Sequence, residues 1–197
     1  MVRSGVVILA VAMGLSACEG APPERPQPAS LEDGDRCFAN QDWNCAAANY
    51  NGYLQTYPDD PAVNAKLGMA RTRAGHHREA VPFYRRAESL GVATYDMYAG
   101  YAISLEATGD LDGAIRANEL ALEAVPSLVD VRGSLAAQLV RRGDPEAALA
   151  LLEEFDDHLR SVGQRPYFPA QIAAIREQMQ RDQRTAGASA AEGASPG

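Results

Sequence analysis

The chain has 197 residues, of which 46% are hydrophobic and 22% charged, enough apolar content for the core of one or two domains. Acidic side chains outnumber basic ones 26 to 18, and a net charge of −8 leaves no footprint for wrapping DNA or RNA. That composition argues against nucleic acid as a partner and against intrinsic disorder over most of the length.

Arg3 gives a short positive start, and Gly5 to Ala17 is an uncharged run. At 13 residues it falls short of the roughly 20 that a spanning helix needs, so residues 1–17 read as a secretory signal peptide. The run ends in Leu15-Ser16-Ala17-Cys18, which resembles the bacterial lipobox. The resemblance implies cleavage before Cys18, diacylation of its sulfur and acylation of the new amino terminus. A plain secreted protein cut nearby is the competing reading. Two or three acyl chains anchor firmly where a single chain binds only marginally. Glu19 stands where an aspartate would mark inner-membrane retention, so an outer-membrane anchor facing the periplasm is expected. Within residues 18–29, Ala21 to Ala29 carries four prolines in nine residues and reads as an extended tether.

With Cys18 lipidated, Cys37 and Cys45 remain as a pair in an oxidising compartment. Ala39-Asn40-Gln41-Asp42 between them is turn-like, and a chain reversal there lets a disulfide staple two antiparallel helices. Closing so short a loop contributes roughly 2–3 kcal/mol in the chain-entropy view. A redox or metal pair is the alternative, without C-x-x-C spacing or a second ligand cluster to support it.

The middle of the chain repeats every 34 residues. Gly75, Gly109 and Gly143 share that spacing, as do Ala46, Ala80, Ala114 and Ala148. Leu67, Tyr101 and Leu135 recur in step, each followed by a small residue: Gly68, Ala102 and Ala136. Tyr50, Tyr84, Asn118 and Leu152 hold another shared position, and Tyr53, Ala87, Ala121 and Phe155 a further one. Small residues after the large apolar one let two helices approach closely, and the glycine supplies the left-handed turn between them. Asp110 and Asp144 follow their glycines as helix caps, with Pro145 in the first turn. Pro58 and Pro126 close the first and third units.

These residues resemble the tetratricopeptide repeat, over four units near 27–60, 61–94, 95–128 and 129–162. The resemblance implies an all-α, right-handed solenoid of about four helix pairs spanning residues 30–162. A helix within 163–181 is expected to cap it through Ile172, Ala173, Ile175 and Met179, with residues 182–197 disordered. Asn118 departs from the usual aromatic and either loosens that contact or hydrogen-bonds across it. In such solenoids the first helix of each pair lines a concave face that holds peptides or partner helices. On this register the face comprises Ala65, Met69, Thr72, Ala99, Ile103, Glu106, Ala137 and Val140. It is small and apolar with one soft methionine, suited to an apolar peptide or amphipathic helix.

No catalytic pattern is present: no H-E-x-x-H, no P-loop, no G-x-S-x-G and no G-x-G-x-x-G. His76 and His77 fall at an interhelix turn, as a solvated pair or a surface metal site without an evident third ligand. Glu153, Glu154, Asp156 and Asp157 read as a solvated acidic face, and Trp43 either packs under the next repeat or contacts a partner. Neither enzyme, cofactor nor metal is predicted. The layout of lipobox, tether, four repeats and short tail is similar to that of the tetratricopeptide lipoproteins of the Tad (Flp) pilus system. That resemblance implies a non-catalytic scaffold that helps a secretin or pilus component assemble, held to the membrane by its lipid. An accessory scaffold for β-barrel assembly or for peptidoglycan enzymes is the alternative.

Overall fold

The computed structural model describes residues 30–193, with side-chain surroundings through residue 186. The signal peptide, Cys18, the proline-rich tether and residues 194–197 lie outside that range. The described residues form nine helices and no strand: α1 (Leu31–Ala39), α2 (Trp43–Leu54), α3 (Pro61–Arg73), α4 (His77–Ser89), α5 (Tyr95–Ala107), α6 (Leu111–Ala124), α7 (Val129–Arg142), α8 (Pro145–Ser161) and α9 (Pro169–Gly193). Each helix packs chiefly on its sequence neighbours, and α3 also meets α5, so the pairs stack in order as a solenoid.

Local chemistry sets the helix ends. Ser30, Asp42, Asp60, Asp110 and Asp144 each accept the N–H three residues on, satisfying donors that a helix start leaves open. Within each pair the turn is the same: the N–H of Asp42, His76, Asp110 and Asp144 donates to the carbonyl five residues back, at 2.8–2.9 Å. Such a turn needs a left-handed residue, and Gly75, Gly109 and Gly143 supply it with φ of 79–93°.

The residue after the large apolar position sets how closely the paired helices approach. A Cβ on Gly34 would lie 2.6 Å from the Tyr50 ring, and one on Gly68 2.9 Å from the Tyr84 ring. Glycine is therefore the residue that admits a buried tyrosine there. In the third and fourth pairs Ala102 and Ala136 occupy that register position while Asn118 and Leu152 replace the tyrosines, so the smaller side chain shares its register with a methyl group. Asn118 donates to Gln138 Oε1 at 2.9 Å, so of its two readings it bridges to the next helix.

The C-terminal cap departs from expectation in three places. Ile172 and Ile175 are buried against Leu135, Leu152 and Phe168 with Met179 beside them, but Ala173 faces solvent. The helix also continues from Arg181 to Gly193, where disorder was expected. Alanine-rich sequence favours helix, and the Arg181–Glu177 and Gln178–Asp182 pairs sit four residues apart on its surface. Finally, Asp156 is not on a solvated face: it is fully buried and accepts the backbone N–H groups of Tyr167 at 2.7 Å and Phe168 at 3.0 Å. This carboxylate caps the loop that turns α8 into α9. Its neighbours Glu154 and Asp157 are exposed as expected.

Candidate partner-binding groove

The first three repeats enclose a groove of about 810 Å³ lined by residues of α1 to α5. Met69 and Thr72 come to it from α3, and Ala99 and Ile103 from α5, in agreement with the repeat register. Ile103 is 55% exposed and Tyr95 45%, two large apolar side chains left uncovered on α5, whereas the exposed Tyr57, Val162 and Tyr167 lie outside the groove. The first pair contributes Phe38, Gln41 and Trp43, with the two rings 5.1 Å apart edge to face. Trp43 is half-buried on Phe38 of its own repeat, where packing under the next repeat was one expectation, and it lines the groove. Arg73 and Asp96 add one charge of each sign.

Close backbone approach shapes this floor. The Tyr84 hydroxyl lies where a Cβ on Gly100 would sit 2.3 Å away, so glycine at 100 lets the tyrosine tip reach the groove. That tip meets Thr72 Oγ1 at 3.0 Å, and Thr72 meets Ser104 Oγ at 2.7 Å while donating to the Gly68 carbonyl at 2.9 Å. The Thr72 hydroxyl is thus committed to neighbours. Burial raises the Tyr84 phenol well above its ordinary range, keeping it neutral.

Four of the expected face residues are placed elsewhere. Ala65 is buried in the core between α3 and α5, because its position faces the helix contact and not the concavity. Glu106 accepts from Gln138 Nε2 at 2.7 Å and pairs with Arg141, forming a polar ladder with Asn118. Val140 packs on the core of the last two pairs, while Ala137 is exposed, and neither lines the groove. Sequence reasoning missed Phe38, although the register names it: stepping back 34 residues from Thr72 lands on Phe38. No such signal marked Gln41, Tyr95 or Asp96, which come from turn and helix-start positions.

Two other concavities are smaller. One of about 360 Å³ lies at the His76–His77 turn, where His76 Nδ1 is 3.3 Å from Arg71 and His77 Nδ1 is 3.5 Å from Ser104. Another of about 220 Å³ sits between α8 and α9. Among the described residues no three His, Cys, Asp or Glu side chains come together as metal ligands, and no helix is long and apolar enough to cross a membrane. Cys37 and Cys45 are bonded across the α1–α2 turn, with Cα atoms 5.7 Å apart.

The architecture is that of a tetratricopeptide-repeat solenoid. No family model and no curated protein sequence matches the chain. Solved structures do. One structure of MamA is 19% identical with a TM-score of 0.58, covering 62% of this chain and 67% of that one. MamA from Desulfovibrio magneticus RS-1 is 17% identical with a TM-score of 0.60, over 66% and 74% of the two chains. YrrB, described as a TPR protein with an unusual peptide-binding site, is 15% identical with a TM-score of 0.58, over 62% and 63%. At these identities the likeness is one of fold.

Proposed function

We propose that this chain is a non-catalytic, lipid-anchored scaffold of the outer membrane. Its groove holds a segment of a partner protein during secretin assembly in a Tad (Flp) pilus system. The observation that carries the reading is the groove: an apolar floor of Met69, Ala99 and Ile103 beside the aromatic Phe38, Trp43 and Tyr95. A volume of about 810 Å³ accommodates a few side chains of a peptide and not a whole domain. Apolar and aromatic surface supplies affinity by leaving water, and Arg73 and Asp96 fix the direction of the bound segment. The peptide-binding site described for YrrB on the same fold supports a peptide-like occupant. The Leu15-Ser16-Ala17-Cys18 sequence and the prolines after it support an acyl anchor with a spacer that sets reach from the membrane.

The test is in-cell crosslinking of the tagged full chain followed by mass spectrometry, beside a Met69→Asp/Ile103→Asp variant. Capture of secretin or pilus subunits by the wild type, lost in the variant, is the expected result. Barrel-assembly or cell-wall proteins in their place would move the scaffold to another machine. Labelled palmitate incorporated by the wild type and not by Cys18→Ser checks the anchor.

A further inference from the structure

The α1–α2 turn differs from the other three within-pair turns in two respects at once. Where they have glycine, it has Gln41 with φ of 60°, the one non-glycine residue of positive φ among those described. Left-handed backbone is unfavourable for a residue with a Cβ and persists where its surroundings enforce it. Across that same turn, the register positions held in the second pair by the Arg71–Glu79 ion pair, at 3.2 Å, are held by Cys37 and Cys45. The only covalent cross-link among the described residues therefore spans the turn that most needs enforcing.

Phe38, Gln41 and Trp43, the groove residues of the first pair, all lie between the two cysteines in sequence. Besides the bridge, backbone hydrogen bonds hold the turn, among them Gln41 N–H to the Phe38 carbonyl at 3.0 Å and Asp42 N–H to the Cys37 carbonyl at 2.9 Å, with Cys45 N–H to Asp42 Oδ1 at 3.1 Å. As the first described helix, α1 packs mainly on α2 alone. Both cysteines are half-buried and not sealed in the core, within reach of a small thiol.

We infer that the Cys37–Cys45 bridge is the positioning device for the groove's aromatic wall, and that its reduction by a dithiol loosens the wall and weakens partner binding. The inference rests on the groove reading above. In the step itself, one thiolate of the dithiol attacks a bridge sulfur, forming a mixed disulfide and releasing the other cysteine. The second reductant thiol then displaces the bound cysteine and closes as the reductant's own disulfide. The two protons of the dithiol end on Cys37 and Cys45, and the bridge gains two electrons. Without the bridge Gln41 leaves the left-handed region, and the segment carrying Phe38 and Trp43 moves with it.

Trp43 is the sole tryptophan of the chain, so its fluorescence reports this wall directly. The experiment is acrylamide quenching of the full chain in detergent, oxidised and after dithiothreitol, well below the melting temperature. Reduction is expected to raise the quenching constant about twofold, as local opening exposes the indole, with far-UV circular dichroism unchanged. Cys37→Ser/Cys45→Ser gives the reduced value without reductant and no longer responds to it. Adding Gln41→Gly to that variant, a residue content with the turn, returns quenching to the oxidised value, which a general loss of stability would not do. Equal quenching of oxidised and reduced wild type overturns the inference, as does a rise that Gln41→Gly leaves in place. Crosslinks that survive Met69→Asp/Ile103→Asp would defeat the groove reading while leaving the Trp43 response standing, so the two failures are separable.

Discussion

The first two repeats and the last two solve the same packing problem with different chemistry. In the first half, tyrosines at positions 50 and 84 press into glycine slots, and their hydroxyls meet Asp35 and Thr72 at the surface of the pair. In the second half, Asn118 and Leu152 share the register with alanines, a polar ladder runs through Gln138 to Glu106, and α9 closes the end. The cleft lies across the first three repeats, lined by Phe38, Trp43 and Tyr95, while the concavities at the His76–His77 turn and between α8 and α9 are smaller. The solenoid thus carries its large cleft toward one end and has α9 packed on the other.

The largest expected effect breaks the α9 end. Asp156→Ala strands the buried N–H groups of Tyr167 and Phe168, and losing charge-assisted bonds there should cost about 3 kcal/mol. Hydrogen exchange should show the α9 amides opening first, and protection equal to wild type would contradict the cap. At the cleft end, reduction of Cys37–Cys45 should lower stability by roughly 2–3 kcal/mol in urea melts. Before reduction, alkylation should label neither cysteine. The counterpart change in the second pair, Arg71→Ala, removes an ion pair whose Glu79 side lies in solvent and should cost about 1 kcal/mol.

An effect below that of the bridge sharpens the packing contrast itself. Gly68→Ala drives a Cβ toward the Tyr84 ring and should cost about 2 kcal/mol, falling to about 0.5 in a Tyr84→Leu background that mimics the fourth repeat. Strict additivity would mean the slot does not set the pairing. The smallest concerns acid. Burial pushes the Asp35 carboxyl up, but hydrogen bonds from Lys66 and Tyr50 outweigh it and hold it below the usual carboxylate range. A depressed carboxyl stabilises the fold above its unfolded value of 3.8 and loses that contribution as pH falls through the folded value. Asp35→Asn should therefore flatten the acid limb of the stability curve slightly, and an unchanged limb would remove Asp35 from it.

Much of this was legible because a repeat states each structural position several times. The helix pairs, the turn glycines, the aspartate caps and the groove residues Met69, Thr72, Ala99 and Ile103 all follow from the register. The register assigns a residue to a face but not to a depth on it, which is why Ala65 is core. It also carries no knowledge of the chain ends: α9 builds the core that takes up Val140. Asp156 read as one more residue of a solvated acidic run because its partners lie 11 and 12 residues on, in a loop with no repeat to announce it. Trp43 was seen but not placed, since one position of a degenerate first unit gives no second example to compare.

The central claim is that partners are held at the aromatic end and not along the whole solenoid. The direct measurement puts a photocrosslinking amino acid at Ile103 or at Ala137 in the full chain in cells and compares the yield of one partner adduct. Both sites are exposed, so access to solvent is not the variable. A strong adduct from Ile103 with little or none from Ala137 is the predicted result. Equal yields from the two positions would contradict a groove confined to the first three repeats.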